Sequence, residues 1–378
     1  MSSKAVLGRE YLLAGHLIDR AGMPQVISTL GREAMEAIAI EEWMGASPVY
    51  TRRVQRALGF AGDDVAAIFK GMQLDIGAPH RFMDFRYQVD DARHGQFWLA
   101  SCGALMDVEP MGEEFVVGMC HHIEDPTFDA TAAATNPHAR MRPRHRPPRT
   151  PVDRHPHCHW TVDIDPANDP IPEPDAAVVV ARSLAAQVTL SPDAPPSYDG
   201  PFDPDFQLEH LPPAALARAL DEVCLQGHLL VHSFLLSVAA RAGDDGARRI
   251  GAKQLAGIGG VVSARLARSG AGLAEVLDLH PAFRPRAYVD AHIEERDGGV
   301  AVRIDDCPAL HENGGWSWAL LADDHAMAAI AYGAEPRAQV ERRGDREWFI
   351  SVGTEPAKEP AEVTLTRFST GAEFVLER

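Results

Sequence analysis

Phe97-Trp98-Leu99-Ala100-Ser101-Cys102-Gly103-Ala104-Leu105 and Val302-Arg303-Ile304-Asp305-Asp306-Cys307-Pro308-Ala309-Leu310 follow one pattern. Each starts like a strand, then runs into Cys, one turn-forming residue, Ala and Leu. Working outward, each lies in a similar order of segments. Upstream of the first, Val26, Leu30, Met35 and Ile38 predict a helix over 24–44, interrupted by Gly45 and Pro48. Helices follow over 49–58 and 63–72, the last with an acidic start. Phe85–Val89 and Gln96–Ala100 read as strands joined by a turn at 93–95. Upstream of the second, a helix over 213–242 precedes another over 248–256. The glycines 257–260 read as a turn, a further helix reaches Arg268, and 272–279 parallels 63–72.

Beyond each stretch comes a turn-rich segment and another expected strand, 114–120 or 316–322. Further strands are expected at 160–164, 347–352 and 362–368. Residues 176–190 fit helix or strand equally, and 135–156, rich in Pro and Arg, read as a long loop. The expected fold class is therefore α+β: two duplicated halves, each made of helices followed by an antiparallel sheet. Residues 1–190 form the first half, the Pro/Asp-rich 191–212 a linker, and 213–378 the second half.

Bulk properties narrow the function. The chain of 378 residues carries 36 Lys and Arg against 54 Asp and Glu, a net charge of −18, which disfavours nucleic acid as a partner. No apolar run of 18 residues and no signal peptide is apparent, so no membrane partner is expected. Five cysteines, scattered and odd in number, suggest a reducing cytoplasm rather than a disulfide framework.

Seven of the 17 histidines and two of the five cysteines fall between residues 120 and 159. If 115–122 is a strand, alternation puts Cys120 and His122 on one face, roughly 7 Å apart. The same rule puts His157 and His159 with Thr161 and Asp163, and Cys158 on the apolar side. Cys120, His122, His157 and His159 thus form the expected metal site, for zinc or iron; if one of the four is not a ligand, a position is left open to water or substrate. Glu124 is the expected proton-transfer group and Cys102 an alternative catalytic thiol. An iron–sulfur cluster on Cys102, Cys120 and Cys158 is a further alternative. His325 lies where the first half has His122, and Asp323 replaces Cys120.

Six arginines crowd 138–155. Arg144, Arg146, Arg149 and Arg154 are the expected substrate-binding cations, drawing a small anionic molecule to the metal. Cys224, His228 and His232, at i, i+4 and i+8 of one helix, form a stripe that either joins this site or belongs to the core. No nucleotide-binding, zincin or α/β-hydrolase motif occurs. The expectation is a metal-dependent enzyme, hydrolytic or lyase-like with zinc, redox with iron. The alternative is a ligand-binding or sensory protein with a structural metal.

Overall fold

Two glycines with left-handed backbone set up the helical scaffold. Gly31, at φ 88°, separates α1 (Lys4–Leu30) from α2 (Arg32–Leu58). Gly243, at φ 69°, breaks the 55-residue α9 (Pro213–Ala267) into two arms. A side chain at either φ would be strained, so glycine suits the bend. The computed structural model describes residues 4–190 and 198–368. In it α1 and α2 pack against α9, so each half contributes to one central bundle.

Each half then carries an antiparallel sheet. In the first, β1 (Met83–Val89), β2 (His94–Cys102), β3 (Ala139–His145) and β4 (Cys158–Ile164) stand in the order β1-β2-β4-β3. In the second, β5 (Ala291–Arg296), β6 (Gly299–Ile304), β7 (Ala338–Gly344) and β8 (Glu347–Val352) stand in the same order, β5-β6-β8-β7. Short helices lie between the two hairpins of each sheet. In the first half these are α4 (Gly103–Val108), α5 (Glu113–Val117) and α6 (Glu124–Ala133). In the second they are α11 (Pro308–His311), α12 (Trp316–Ala322) and α13 (His325–Ala334). The fold is α+β, with two halves in similar arrangement.

The cores differ. The second sheet joins the central bundle in one cluster that includes Leu17, Leu229, Val302 and Trp348. The first sheet has a cluster of its own, where Phe97, Leu99, Cys158 and Trp160 face α3 (Val65–Met72) and the α4–α6 layer. Asp64 caps α3, accepting from the Ala67 N–H at 2.8 Å. Most of the apolar stretch of α9 is inside the protein: 83% of its most hydrophobic window is buried, as expected of a core helix.

Several expected elements differ. The expected break at Gly45 and Pro48 is absent, and α2 runs through both. Gly45 sits where α2 closes on α9, and a Cβ there would lie 2.3 Å from Ser233 Oγ. The glycines 257–260 are not a turn but part of α9. They allow close approach to α13 and to α14 (Ala361–Phe368): a Cβ on Gly260 would meet Val363 at 2.4 Å. The expected strands at 114–120, 316–322 and 362–368 are helical. Residues 139–145, expected in a loop, form edge strand β3, burying Ala139 and Met141 and turning Arg140, Arg142 and Arg144 outward. Pro143 is tolerated there because an edge strand leaves one side unpaired. Residues 176–190 fold mostly as helix, α7 (Asp175–Val180) and α8 (Leu184–Gln187). Of the expected linker, 191–197 lie outside the described residues. The rest is no loose tether, since Phe206, Leu208 and Leu211 are buried in the central core.

Candidate functional site

The segment that was to supply two ligands is helical, and this reorganises the site. Gly112, with φ 115°, starts α5, and Glu113 and Glu114 supply an acidic first turn. The chain then widens into a π-helical turn, Gly118–Ile123, before α6. Such turns are rare and often occur at functional sites. Strand alternation therefore does not apply. Cys120 is buried in the first sheet's core, while His122 is exposed and its Nδ1 donates to Glu36 Oε2 at 3.1 Å.

The other two expected ligands also part company. His159 lies on the outer face of β4, where its Nε2 donates to Gln96 Oε1 at 2.9 Å and its ring packs on Trp98. His157 precedes the strand and is buried. Its Nδ1 accepts the backbone N–H of Cys102 at 3.1 Å, which assigns its proton to Nε2. Burial, first, and Arg149 lower its pKa. Cys120, His122, His157 and His159 thus do not share one coordination sphere. Among the described residues, the only three or more His, Cys, Asp or Glu side chains with donor atoms all within 4.8 Å are Asp290, His292 and Asp305. These lie at the surface and pair with one another, His292 Nε2 standing 3.1 Å from Asp305 Oδ2.

What the fold does gather is Cys102, Cys120 and Cys158 around Glu124. Cys102 ends β2 and caps α4, its Sγ accepting the Leu105 N–H at 3.3 Å. Cys158 pairs with Leu99 across β2 and β4. Both lie in the first sheet's core with Cys120. Burial pushes the Cys102 thiol up to about 12, with Glu124 adding to the effect. Cys120 and Cys158 rise well above the ordinary thiol value, again through burial first and Glu124 second.

Glu124 opens α6. Burial raises its carboxyl to about 8, partly offset by Arg146. Its Oε2 is buried without a hydrogen-bond partner. Arg146 pairs with Asp125 and lies over the Trp160 ring. Arg149 makes a two-pronged bond to Glu109, both contacts at 2.8 Å. Arg144 and Arg154 are exposed. Of the four expected substrate-binding arginines, two are therefore engaged in ion pairs and two face solvent.

Glu124 lines a cavity of about 140 Å³ between α1, α2 and the first sheet, together with Asp19, Trp43, Tyr50, Asp75 and Phe128. Cys102 falls in sequence between the lining residues Leu99 and Ala104 and does not itself line the cavity. A second cavity of about 170 Å³ adjoins it, sharing His16, Asp19 and Met119.

The cavity wall contains several buried polar groups that the sequence reading missed. Asp19 Oδ2 accepts from Trp43 Nε1 at 2.8 Å, and Glu42 behind it lacks any cation. Burial raises both carboxyls, Glu42 the more, with the charge of Asp19 adding to the rise at Glu42. His16 is lowered to about 3 by burial and Arg20. Asp75 rises to about 6 and accepts from Tyr50 Oη at 2.8 Å. The available signal was His16, Asp19 and Arg20 interrupting an otherwise apolar face of α1.

Cys224, His228 and His232 are core residues away from Glu124. His228 donates to the Arg284 carbonyl at 2.7 Å and His232 to that of Gly314 at 2.6 Å. No protein-family profile, curated protein or solved structure matches this chain.

Proposed function

We propose that the protein is a cytoplasmic enzyme that performs acid–base and thiol chemistry on a small organic molecule held in the cavity at Glu124. One observation carries this reading. A buried carboxyl with an unpartnered oxygen lines a cavity and acts electrostatically on three core thiols, and its proton affinity suits transfer near neutral pH. As a purely structural residue Glu124 would be costly, because an unsatisfied buried polar group costs roughly 1–3 kcal/mol. Five free cysteines, all buried, agree with a reducing compartment.

In this scheme ionised Glu124 takes the Cys102 proton as the sulfur adds to an electrophilic carbon of the substrate. The protonated carboxyl gives that proton to the leaving group as its bond to the carbon breaks; Glu124 then takes a proton from water as the water oxygen displaces the sulfur, and returns it to the restored thiol. Asp19 and Tyr50 orient the polar end of the substrate, and Trp43 and Phe128 hold its apolar part. Hydrolytic or lyase chemistry at a carbonyl-type carbon fits these parts.

A second reading is favoured by the convergence of three thiols on one carboxylate. Cys102, Cys120 and Cys158, with Glu124, would hold a soft metal ion or an iron–sulfur cluster, and their donor atoms would have to draw closer together. Metal analysis of the purified protein separates the two readings.

The enzyme reading is tested by alkylating the folded protein with iodoacetamide and locating the label by mass spectrometry. Cys102 is expected to react first, at a rate that climbs as Glu124 ionises near pH 8, and Glu124→Gln should remove that climb. Equal reactivity of the three thiols, or an unchanged pH profile in Glu124→Gln, would count against it.

A further inference from the structure

A larger concavity lies apart from Glu124. It measures about 770 Å³ and is bounded by the start of α1, the loop at His80 and Arg81, α9, and α10 (Leu273–Leu279). Pockets of this size commonly take small organic ligands. Its charge runs against that of the chain: Lys4, Arg9, Arg81, Arg265, Arg268 and Arg284 line it, against the acids Glu10, Asp221 and Glu275. A protein of net charge −18 here presents twice as many cations as acids.

Several of the cations are already engaged. Arg9 bonds Glu209 at 2.8 Å, Arg265 bonds Glu10 at 2.5 Å, and Arg284 bonds Asp278 at 3.0 Å. Lys4 and Arg81 form no ion pair among the described residues. Arg81 is also the only non-glycine there with a left-handed backbone, φ 71°. That conformation costs of order 1–3 kcal/mol and persists only where its surroundings enforce it. Phe82, fully packed, anchors the loop, its carbonyl accepting the Gly103 N–H at 2.9 Å. Beside it, His80 donates from Nε2 to the Gln73 carbonyl at 2.7 Å, leaving Nδ1 buried without a partner. The opposite wall is apolar, with Leu7, Leu220 and Leu279.

We infer that this cleft binds a small organic phosphate. Arg81 and Lys4 hold the phosphoryl oxygens, and the carbon body lies on Leu7, Leu220 and Leu279. A guanidinium suits this ligand because its planar donors match two phosphate oxygens at once. The strained backbone at Arg81 is then explained by where it directs the side chain. The site stands independently of Cys102 and Glu124.

Calorimetric titration of the full chain with phenyl phosphate, phenol and benzoate tests this. Phenyl phosphate should bind, phenol should not, benzoate should be weaker, and added salt should weaken phenyl phosphate. Arg81→Gln should lower phenyl phosphate affinity about tenfold or more. Arg81→Gly should lower it equally while raising thermal stability, because glycine relieves the backbone strain. That pairing of gained stability with lost binding separates a ligand role from a structural one. Phenol binding as tightly as phenyl phosphate would overturn the inference. So would full phenyl phosphate affinity in Arg81→Gly, or affinity lost in Glu124→Gln but kept in Arg81→Gln.

Discussion

The backbone N–H of Cys102 is held by Nδ1 of His157, 3.1 Å away, across the junction of β2 and β4. This bond fixes the turn from which Cys102 caps α4. His157→Ala leaves a buried N–H without an acceptor and should cost about 1–3 kcal/mol, read as a lower denaturant midpoint. The iodoacetamide reactivity of Cys102 should change in the same variant.

Glu124 makes stability depend on pH. It keeps its proton to about pH 8 in the folded protein, against an ordinary value of 4.5. Between those values the folded state binds more protons, so raising the pH through this window destabilises the fold. The penalty is absent below the window and complete above it. Glu124→Gln should therefore be more stable than the parent at pH 9 and close to it at pH 4, in denaturant titrations at both values.

The Asp19–Glu42 pair behaves in the same sense. Glu42→Gln removes an acid that burial holds protonated. It should fold, and its melting temperature should fall less than the parent's as the pH rises above the ordinary carboxyl range. A variant with the parent's full pH dependence would show that Glu42 does not titrate there.

His122 and His159 serve as controls for metal. Each makes a single side-chain hydrogen bond, exposed at His122 and partly buried at His159. Alanine at either should alter stability by no more than about 0.5 kcal/mol and leave any metal content unchanged. If metal is present, Cys102→Ser or Cys120→Ser should reduce it, as measured by elemental analysis.

The packing of α13 on α9 gives a backbone test. A Cβ on Gly333 would lie 2.0 Å from the Gly260 carbonyl oxygen. Backbone cannot yield as a side-chain tip can, so Gly333→Ala should cost about 1–3 kcal/mol or more in thermal unfolding.

The β1–β2 hairpin and the α+β class were legible in sequence because alternation survives on a half-buried sheet: Phe97 and Leu99 face in, Gln96 and Trp98 out. Glu124 and Cys102 were legible as chemical candidates. The metal quartet was not, because Phe115–Cys120 reads as an apolar strand by composition. The contrary signals were the acidic turns at Glu113-Glu114 and Glu124-Asp125-Pro126, which mark helix starts. A π-helical turn has no local signature of comparable strength. Asp19, Glu42 and Asp75 escaped because their meeting depends on how α1, α2 and the loop after α3 pack, a tertiary fact. The glycines at 257–260 misled for the same reason: only the approach of α13 and α14 shows that they are there for proximity rather than for bending.

The separate core of the first sheet has a consequence for evolvability. The second sheet shares its buried residues with the helical bundle, so altering its interior disturbs the whole molecule. The first sheet, with its three thiols and Glu124, packs largely within its own layer. Its interior can be rewritten while the frame stands, so sequence change there is the cheapest to survive. Hydrogen exchange should register the same asymmetry, with amides of β1–β4 opening before those of β5–β8.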